Sequence, residues 1–312
     1  MSKTAFVFPG QGSQSLGMLS ELHTESDVVR TTFEEASEAL SFNLWNLVAN
    51  GPEDELNRTD NTQPALLAAS VALWRYYLSL DGAKPDVMAG HSLGEYSALT
   101  CAGVISFADG LRLVKARGEF MQAAVPQGIG SMAAIIGLDD DKVIKACTEA
   151  AQQEIVSAVN FNSPGQVVIA GNKDAVDRAS ALCKEYGAKR ALPLAVSVPS
   201  HCALMQPAAE KLAQRLNDTA LSAAQIPVIN NVDVNIESDS NKVKDALVRQ
   251  LYCPVRWTET VQKMASDSVT TLAECGPGKV LTGLTKRIDK SLSSVAINTH
   301  DAIAAFIADQ KG

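Results

Sequence analysis

The chain has 312 residues and a formal net charge of −8 at pH 7, from 27 basic and 35 acidic residues. A chain of this length can bury a large core, whereas its acidic balance gives no electrostatic support for binding nucleic acid. No apolar run approaches the roughly 18 residues of a membrane span, and the N-terminal residues lack the features of a secretory signal. We therefore expect a cytoplasmic protein that binds neither nucleic acid nor membrane.

The six cysteines are scattered singly, and no C-x-x-C pair occurs among them. Such spacing is typical of reduced intracellular thiols rather than of disulfides or zinc ligands. We expect no metal site.

The first part of the chain alternates short apolar strands with helices, which is typical of an α/β fold. Residues with apolar side chains at helical spacing follow each strand, and helices are predicted to continue to about Met121. The predicted elements are the strand Ala5–Phe8, a turn at Pro9–Gly12, the helix Gln63–Leu78, the strand Val87–Ala89 and the helix Gly110–Gln122.

The middle of the chain has a different pattern, β-α-β-β-α-β, which defines a ferredoxin-like unit. A turn rich in Ser, Pro and Gly at 163–166 separates its central strands. Its predicted elements are the strand Ser131–Leu138, the helix Asp139–Gln152, the strands Ile155–Phe161 and Val167–Ala170, the helix Asp174–Tyr186 and a last extended run Ala188–Val198.

Pro and Gly residues flank this unit at Val125–Gly128 and at Val198–Pro199. We expect a small domain at 126–198, inserted into a large α/β catalytic domain formed by 1–125 and 199–312. Further predicted elements of the large domain are the helix Pro207–Leu216, the strand Pro227–Val232, the helix Lys242–Leu251 and a loop at Gly276–Gly278.

The segment Gly90–Gly94 reads GHSLG and matches the G-x-S-x-G pattern, in which a serine occupies a sharp turn between a strand and a helix. The flanking residues supply a strand before it and a helical pattern after it. The helix N-terminus offers unpaired N–H groups to a developing negative charge. Ser92 is therefore a candidate nucleophile, although glycine-bounded turns also occur without any catalytic role.

A serine nucleophile needs a base, and the chain has four histidines. We expect His91 to pack beneath the turn, and His23 and His300 to lie on the surface. His201 falls where a strand is predicted to end and a helix to begin, which is where α/β proteins place functional groups. The group that orients its imidazole stays open, because an acidic residue or a main-chain carbonyl could serve.

Arg117 lies in the apolar stripe of its predicted helix, so its guanidinium is expected to face inward. A buried guanidinium requires an anionic or polar partner, and its planar fork suits a carboxylate. The partner could be the carboxylate of a substrate or that of Glu95, or the side chain could extend outward to solvent.

The turn Pro9–Ser13 is rich in glycine but lacks the third glycine of a dinucleotide fingerprint and the lysine of a P-loop. Its main-chain N–H groups, at the end of a strand, could contribute to an oxyanion hole. A plain tight turn would have the same composition.

Together these segments resemble the bacterial malonyl-CoA:acyl carrier protein transacylases of type II fatty acid synthesis, over nearly the whole chain. The resemblance implies a hydrolase-like large domain with a parallel sheet core and an inserted ferredoxin-like small domain. The segments that carry it are Phe8–Gln14, Thr62–Ala65, Gly90–Tyr96, Arg117–Gly118, Asn160–Gln166, Pro199–His201 and Gly276–Gly278.

The resemblance also implies roles for individual residues. Ser92 would carry the malonyl group, His201 would act as base and then acid, and the main-chain carbonyl of Gln250 would hold the histidine. The oxyanion hole would be formed by the N–H groups of Gln11 and Leu93. Arg117 would bind the malonyl carboxylate, and the residues expected to line the cleft are Gln63 and either Asn160 or Asn162.

The implied partners are malonyl-CoA and acyl carrier protein, both as substrates, with no separate cofactor. We expect a monomer. Two basic pairs, Lys189–Arg190 and Lys286–Arg287, are candidates for carrier-protein docking, and solvated surface charge without a docking role is the alternative. Three other functions remain open from the sequence: a serine esterase or thioesterase, a trans-acting acyltransferase of polyketide synthesis, and a non-catalytic docking module.

Overall fold

The computed structural model describes residues 3–196 and 198–311. Its strands form two separate sheets, one of five strands and one of four. Within the described residues, no helix is both long and apolar enough to cross a membrane.

The larger sheet is entirely parallel, with the strand order β7-β2-β1-β8-β9. Parallel sheets are covered on both faces, so their strands are continuously apolar. In the first strand, Phe6 and Phe8 pack into one hydrophobic cluster, whereas Ala5 and Val7 pack into another. The strands are β1 (Lys3–Phe8), β2 (Val87–Gly90), β7 (Val228–Ile229), β8 (Val269–Glu274) and β9 (Ser293–Ala296).

Helices cover both faces of this sheet. Gly118 lies where two of them meet, and an added Cβ there would come within 2.5 Å of the Cα of Asp60. The helices are α1 (Ser20–Glu25), α2 (Asp27–Leu40), α3 (Leu44–Asn50), α4 (Glu53–Leu56), α5 (Thr59–Ser79), α6 (Leu93–Cys101), α7 (Phe107–Ala124), α10 (Gln206–Asn217), α11 (Ser240–Gln250), α12 (Trp257–Ser266), α13 (Val280–Ile288), α14 (His300–Lys311) and a short 3-10 helix, Ala203–Met205.

The smaller sheet is antiparallel, with the strand order β4-β5-β3-β6. Two helices pack against it around a separate hydrophobic cluster. The chain order β-α-β-β-α-β is the ferredoxin-like arrangement, which confirms the predicted fold class. Its elements are β3 (Gly130–Ile136), α8 (Asp140–Ala151), β4 (Val156–Ser163), β5 (Gln166–Asn172), α9 (Lys173–Glu185) and β6 (Arg190–Pro193).

Two predicted strands are shorter than expected. The run predicted over 188–198 is a strand only over Arg190–Pro193, because the chain then turns and the Val196 N–H donates to the Leu194 carbonyl at 2.9 Å. Ser197 lies outside the described residues, as do Met1, Ser2 and Gly312 at the ends of the predicted large domain.

The strand predicted over 227–232 spans only Val228–Ile229. The next two residues are asparagines. The Asn230 N–H donates to the Asn235 carbonyl at 2.9 Å, and the Asn231 N–H donates to the Glu95 carboxylate at 3.0 Å, so neither continues the sheet.

The smaller sheet is bonded through β4 to the segment between α11 and α12. The Phe161 N–H donates to the Val255 carbonyl at 3.0 Å, and the Val255 N–H donates to the Val159 carbonyl at 2.8 Å. The Thr258 hydroxyl, in the first turn of α12, adds a bond of 3.0 Å to the Phe161 carbonyl. These bonds hold the smaller sheet beside the carboxyl ends of β1 and β2, where Ser92 lies.

Candidate active site

Ser92 lies between the end of β2 and the start of α6, in a backbone conformation with φ 52° and ψ −110°. Two glycines allow this turn. A Cβ added to Gly90 would lie 1.8 Å from the carbonyl carbon of Gly94, and one added to Gly94 would lie 2.0 Å from the carbonyl oxygen of Phe8. The turn is the strained strand-to-helix elbow that the G-x-S-x-G pattern predicts.

The imidazole of His201 lies between the Ser92 hydroxyl and the main chain of α11. Its Nε2 is 2.8 Å from Ser92 Oγ, and its Nδ1 is 2.6 Å from the carbonyl oxygen of Gln250. Because a carbonyl oxygen only accepts, Nδ1 carries the proton and Nε2 is free to accept one from Ser92. Burial, and next the positive charge of Arg117, lower the pKa of His201 to about 3, which favours the neutral imidazole.

Arg117 is only 1% exposed, and neutral groups surround it. Its Nη1 donates to Gln63 Oε1 at 2.9 Å, and its Nη2 donates to Gln250 Oε1 at 3.0 Å and to Ser92 Oγ at 3.3 Å. The ring of Tyr96 lies below the guanidinium, with 5.3 Å between the ring centroid and Cζ. Within residues 3–196 and 198–311, Arg117 forms no salt bridge and its Nε has no hydrogen-bond partner.

The nearest candidate for an internal partner was Glu95, and it bonds elsewhere. One carboxylate oxygen accepts from Gln250 Nε2 at 2.8 Å and from the Asn231 N–H at 3.0 Å. Burial raises the pKa of Glu95 to about 7, against the smaller lowering effects of these bonds and of Arg117. The positive charge of Arg117 is therefore not neutralised by direct contact with a carboxylate.

A cavity of about 100 Å³ opens above Ser92, between the two sheets. Gln11 and Leu93 border it, and neither of their N–H groups donates to a main-chain carbonyl of the described residues. Much of the remaining wall is apolar. It is formed by Met121, Met132, Leu194, Val196 and Val198.

The other predicted site residues occupy different positions around this cavity. Asn160 lines it, with a buried Oδ1 that has no partner in the part of the chain that the structure describes. Asn162 instead bonds to His91 Nε2 at 2.7 Å. Gln63 lies behind Arg117, 1% exposed, and its Nε2 approaches the Met121 sulfur at 3.4 Å. Gln63 and Asn162 are thus one layer removed from the cavity.

The remaining histidines differ in part from expectation. His91 does not pack beneath the turn: it borders the cavity and reaches β4 through Asn162. His23 is half-buried rather than on the surface, because its ring stacks on Trp45 with 3.6 Å between centroids. His300 is exposed at the start of α14, as predicted.

Sequence reasoning missed Asn231, which is fully buried beside the elbow. Its Oδ1 accepts from the Ser92 N–H at 2.7 Å, and its Nδ2 donates to the Gly90 carbonyl at 2.6 Å. The signal was a pair of asparagines directly after a short apolar strand, since polar residues at the carboxyl end of a parallel strand often serve a site.

No group of three or more His, Cys, Asp or Glu side chains is placed to hold a metal ion among residues 3–196 and 198–311. The polar groups that line the cavity include the serine, the imidazole and the guanidinium.

A G-x-S-x-G serine on a parallel α/β sheet, in contact with a histidine, is the arrangement of serine-dependent acyl-transfer enzymes. The family model described as acyl transferase domain matches residues 5–311. The chain belongs to this family.

Relatives of high identity cover essentially the whole chain. The sequence is 62% identical over 307 residues to a malonyl CoA-acyl carrier protein transacylase of Salmonella typhimurium, covering 98% of this chain and 99% of that protein. An acyl carrier protein S-malonyltransferase from Vibrio cholerae superposes with a TM-score of 0.96 at 63% identity, covering 98% of this chain and 100% of that one.

A further solved structure is a malonyl-transacylase in complex with a type II PKS acyl-carrier protein. It superposes with a TM-score of 0.98 at 60% identity, covering 99% of this chain and all of that one. The fold around Ser92 is thus the same as in an enzyme that has been observed with its carrier protein.

Proposed function

We propose that this protein transfers a malonyl group from malonyl-CoA to the phosphopantetheine thiol of acyl carrier protein through a malonyl ester on Ser92. One observation carries the proposal. A fully buried guanidinium, Arg117, lies 3.3 Å from Ser92 Oγ and is held only by neutral groups. A buried cation without an anionic partner is costly, and the free carboxylate of a malonyl group would provide that partner.

In the first half-reaction, Ser92 Oγ attacks the thioester carbonyl carbon while its proton moves to His201 Nε2, 2.8 Å away. The oxygen of the tetrahedral intermediate takes the negative charge and accepts bonds from the N–H groups of Gln11 and Leu93. The C–S bond then breaks, and the departing CoA sulfur takes the proton from His201. The products are malonyl-Ser92 and CoA.

In the second half-reaction, the phosphopantetheine thiol gives its proton to His201 and attacks the ester carbonyl carbon. The C–O bond to Ser92 breaks, and Oγ regains the proton from the imidazole. The carbonyl of Gln250, 2.6 Å from Nδ1, keeps the imidazole in the required tautomer throughout. It performs the orienting task that a carboxylate has in other serine enzymes.

Binding of malonyl would also adjust the base. Burial lowers the pKa of His201 most, and the positive charge of Arg117 lowers it further. A carboxylate bound to Arg117 would offset this second effect and so favour proton uptake by the imidazole. Gln63 holds Arg117 from behind through Nη1. Asn160 would offer its unpartnered amide oxygen to the substrate chain, and Asn162 would support His91.

For the acceptor, we propose acyl carrier protein of fatty acid synthesis, and we propose that the enzyme works in the cytoplasm as a monomer without a bound cofactor. The relative solved with its carrier protein supports this class of acceptor. That carrier belongs to polyketide synthesis, so parallel assays with both kinds of carrier protein decide between the two pathways. The exposed pairs Lys189–Arg190 and Lys286–Arg287 are the candidate docking residues.

The proposal is tested by intact-mass spectrometry after exposure to malonyl-CoA alone, followed by addition of the phosphopantetheinylated carrier protein. We expect the wild-type chain to gain one malonyl group and to lose it to the carrier. Ser92→Ala should gain none, whereas Ser200→Ala, a matched change at another serine that lines the cavity, should gain it as the wild type does. An adduct that persists in Ser92→Ala would move the nucleophile elsewhere.

The same experiment separates transfer from hydrolysis. The mostly apolar cavity wall favours a lasting malonyl ester, because it limits access of water to the ester carbonyl. Continuous release of CoA without the carrier protein would instead identify an esterase or thioesterase.

A further inference from the structure

The elbow is held in a costly backbone conformation, and the structure shows which groups hold it. The φ and ψ angles of Ser92 are 52° and −110°, a region that a non-glycine residue rarely occupies. Such a residue keeps its conformation only where the surroundings fix it. The question is therefore which contacts restrain the peptide groups on either side of Ser92.

Asn231 contacts the elbow on both sides of His91. Its Oδ1 accepts the Ser92 N–H at 2.7 Å, and its Nδ2 donates to the Gly90 carbonyl at 2.6 Å. One amide thus bridges the last residue of β2 and the serine itself. Gln250 adds a bond of 3.0 Å from Nε2 to the Ser92 carbonyl, so both main-chain polar groups of Ser92 are bonded to side chains.

Asn231 is in turn fixed by Glu95, which is buried in the first turn of α6. Glu95 accepts from the Asn231 N–H at 3.0 Å and from Gln250 Nε2 at 2.8 Å. The carboxylate therefore holds both residues that bond to Ser92. It belongs to the helix that the elbow opens, so the three side chains and the elbow form one closed network.

We propose that Asn231 is a positioning residue for the nucleophile Ser92. It fixes the peptide groups on both sides of His91, and Glu95 keeps Asn231 in place. The inference rests on the proposed function, because it takes Ser92 as the group that is acylated. Asn231 does not line the cavity. It therefore affects the rate at which Ser92 is acylated more than the binding of malonyl-CoA.

The first test compares Asn231→Ala with Asn230→Ala by rapid-quench measurement of malonyl-enzyme formation. Asn230 is a matched control: it is 6% exposed, and its Oδ1 also accepts a main-chain N–H, that of Asp233 at 2.7 Å, away from the elbow. We expect Asn231→Ala to acylate between about tenfold and a hundredfold more slowly than the wild type, because small displacements of reacting groups cost rates of this size. KM for malonyl-CoA should change less than threefold by the same reasoning, and Asn230→Ala should acylate within about threefold of the wild type.

The second test uses Asn231→Asp, whose side chain matches asparagine in shape. When protonated, the new carboxyl group can donate to the Gly90 carbonyl and accept from the Ser92 N–H, as the amide does; when ionised, it has no donor. Its buried place beside Glu95 favours the protonated form. We expect the ratio of acylation rates, Asn231→Asp over Asn231→Ala, to rise as the pH falls from 8.5 to 6.

Three results would overturn the inference: equal acylation rates for Asn231→Ala and the wild type, equal losses for Asn231→Ala and Asn230→Ala, or a ratio that does not change with pH. If Asn231→Ala does not fold, the pH series of Asn231→Asp relative to the wild type carries the test. The proposed function fails separately, since it fails only if the wild-type adduct is absent or lies on a residue other than Ser92.

Discussion

Arg249 and Gln250 are neighbours at the end of α11, and they belong to two regions in which an arginine has opposite surroundings. On the outside of α11, Arg249 bonds to Asp233 at 2.6 Å and to Asp245 at 2.7 Å, with 30% of its side chain exposed. Toward the cavity, the amide of Gln250 bonds to Arg117, which is 1% exposed and contacts no carboxylate of the residues that the structure describes. The half-buried cation Arg249 has two anions, and the buried cation Arg117 has none among residues 3–196 and 198–311.

The difference is what the proposed role of Arg117 requires. Bonds to Asp233, and to a smaller extent Asp245, raise the pKa of Arg249, so that its charge is satisfied within the protein. Burial lowers the pKa of Arg117, and nearby groups offset this only in part. A guanidinium kept charged in such a place costs stability. It is suited to bind a carboxylate that arrives with the substrate, which the charge of Arg249 is not.

The largest effect is expected when Arg117 is given a carboxylate partner within the protein, because this removes its difference from Arg249. In Gln63→Glu, the introduced carboxylate would take the place of the amide oxygen, 2.9 Å from Nη1. We expect kcat/KM for malonyl-CoA to fall by about a hundredfold, because the guanidinium would already be paired. Steady-state kinetics with malonyl-CoA and carrier protein measures this loss.

Gln63→Met is the matched control, since it removes the same bond without adding charge. We expect it to lose less than about tenfold in kcat/KM, which corresponds to one hydrogen bond. Equal losses of kcat/KM in Gln63→Glu and Gln63→Met would show that the Gln63 amide preserves the position of Arg117 rather than its unpaired charge.

The pH dependence of kcat/KM tests the effect of the buried charge of Arg117, because burial and then Arg117 lower the pKa of His201. In the proposed mechanism the neutral imidazole is the base, so a lowered pKa keeps it active at pH values where an ordinary histidine is protonated. An imidazole with a pKa of about 6.5 would lose about tenfold in activity by pH 5.5. We expect kcat/KM for malonyl-CoA to show no loss centred at that pKa.

The measurement is best made in Glu95→Gln alongside the wild type. Burial raises the pKa of Glu95 to about 7, so its own titration falls in the same range. The amide of Glu95→Gln removes this titration and keeps an acceptor for the Asn231 N–H. If kcat/KM of Glu95→Gln still declines around pH 6.5, the pKa of His201 is not lowered in the free enzyme.

The smallest effect is expected on the outside of α11. Arg249→Ala removes bonds to two partly exposed aspartates, and such ion pairs contribute about 0–1 kcal/mol. We expect kcat/KM to stay within about twofold of the wild type, since no charge near Ser92 changes. Thermal unfolding and the same kinetic assay measure both quantities. A loss as large as that of Gln63→Glu would show that Arg249 also acts on the site.

Much of the fold could be predicted from local patterns. In the β-α-β-β-α-β unit, the spacing of apolar residues changes between strand and helix within short stretches of sequence. Every element of the unit was therefore predicted, although the last strand is shorter than expected. The strand β8 was missed, because Thr270 and Thr271 interrupt its apolar run. It is fixed instead by pairing with β1, which lies more than 260 residues earlier in the chain.

The site shows the same limit. Ser92 and Arg117 could be found from a turn motif and from an apolar helix stripe, which are local. The bridge from Asn231 to the elbow spans 139 residues, and the one from Gln250 to Glu95 spans 155. The predicted position of His91 was wrong for a related reason. The prediction used only the alternation of side chains along the turn, whereas the ring is bonded to Asn162 of β4. Contacts of this kind depend on the packing of the two sheets.

The most direct test of the account is the ratio of malonyl to acetyl transfer in Arg117→Ala and in the wild type. In the proposed mechanism both acyl groups would use Ser92, His201 and the same N–H groups, and only malonyl has a carboxylate for Arg117. We expect the variant to lower the preference for malonyl by about a thousandfold, because removing one partner of a buried charge pair costs about 2–5 kcal/mol, and we expect acetyl transfer to change much less. Equal losses for malonyl and acetyl would contradict the assignment of Arg117 as the group that recognises the carboxylate.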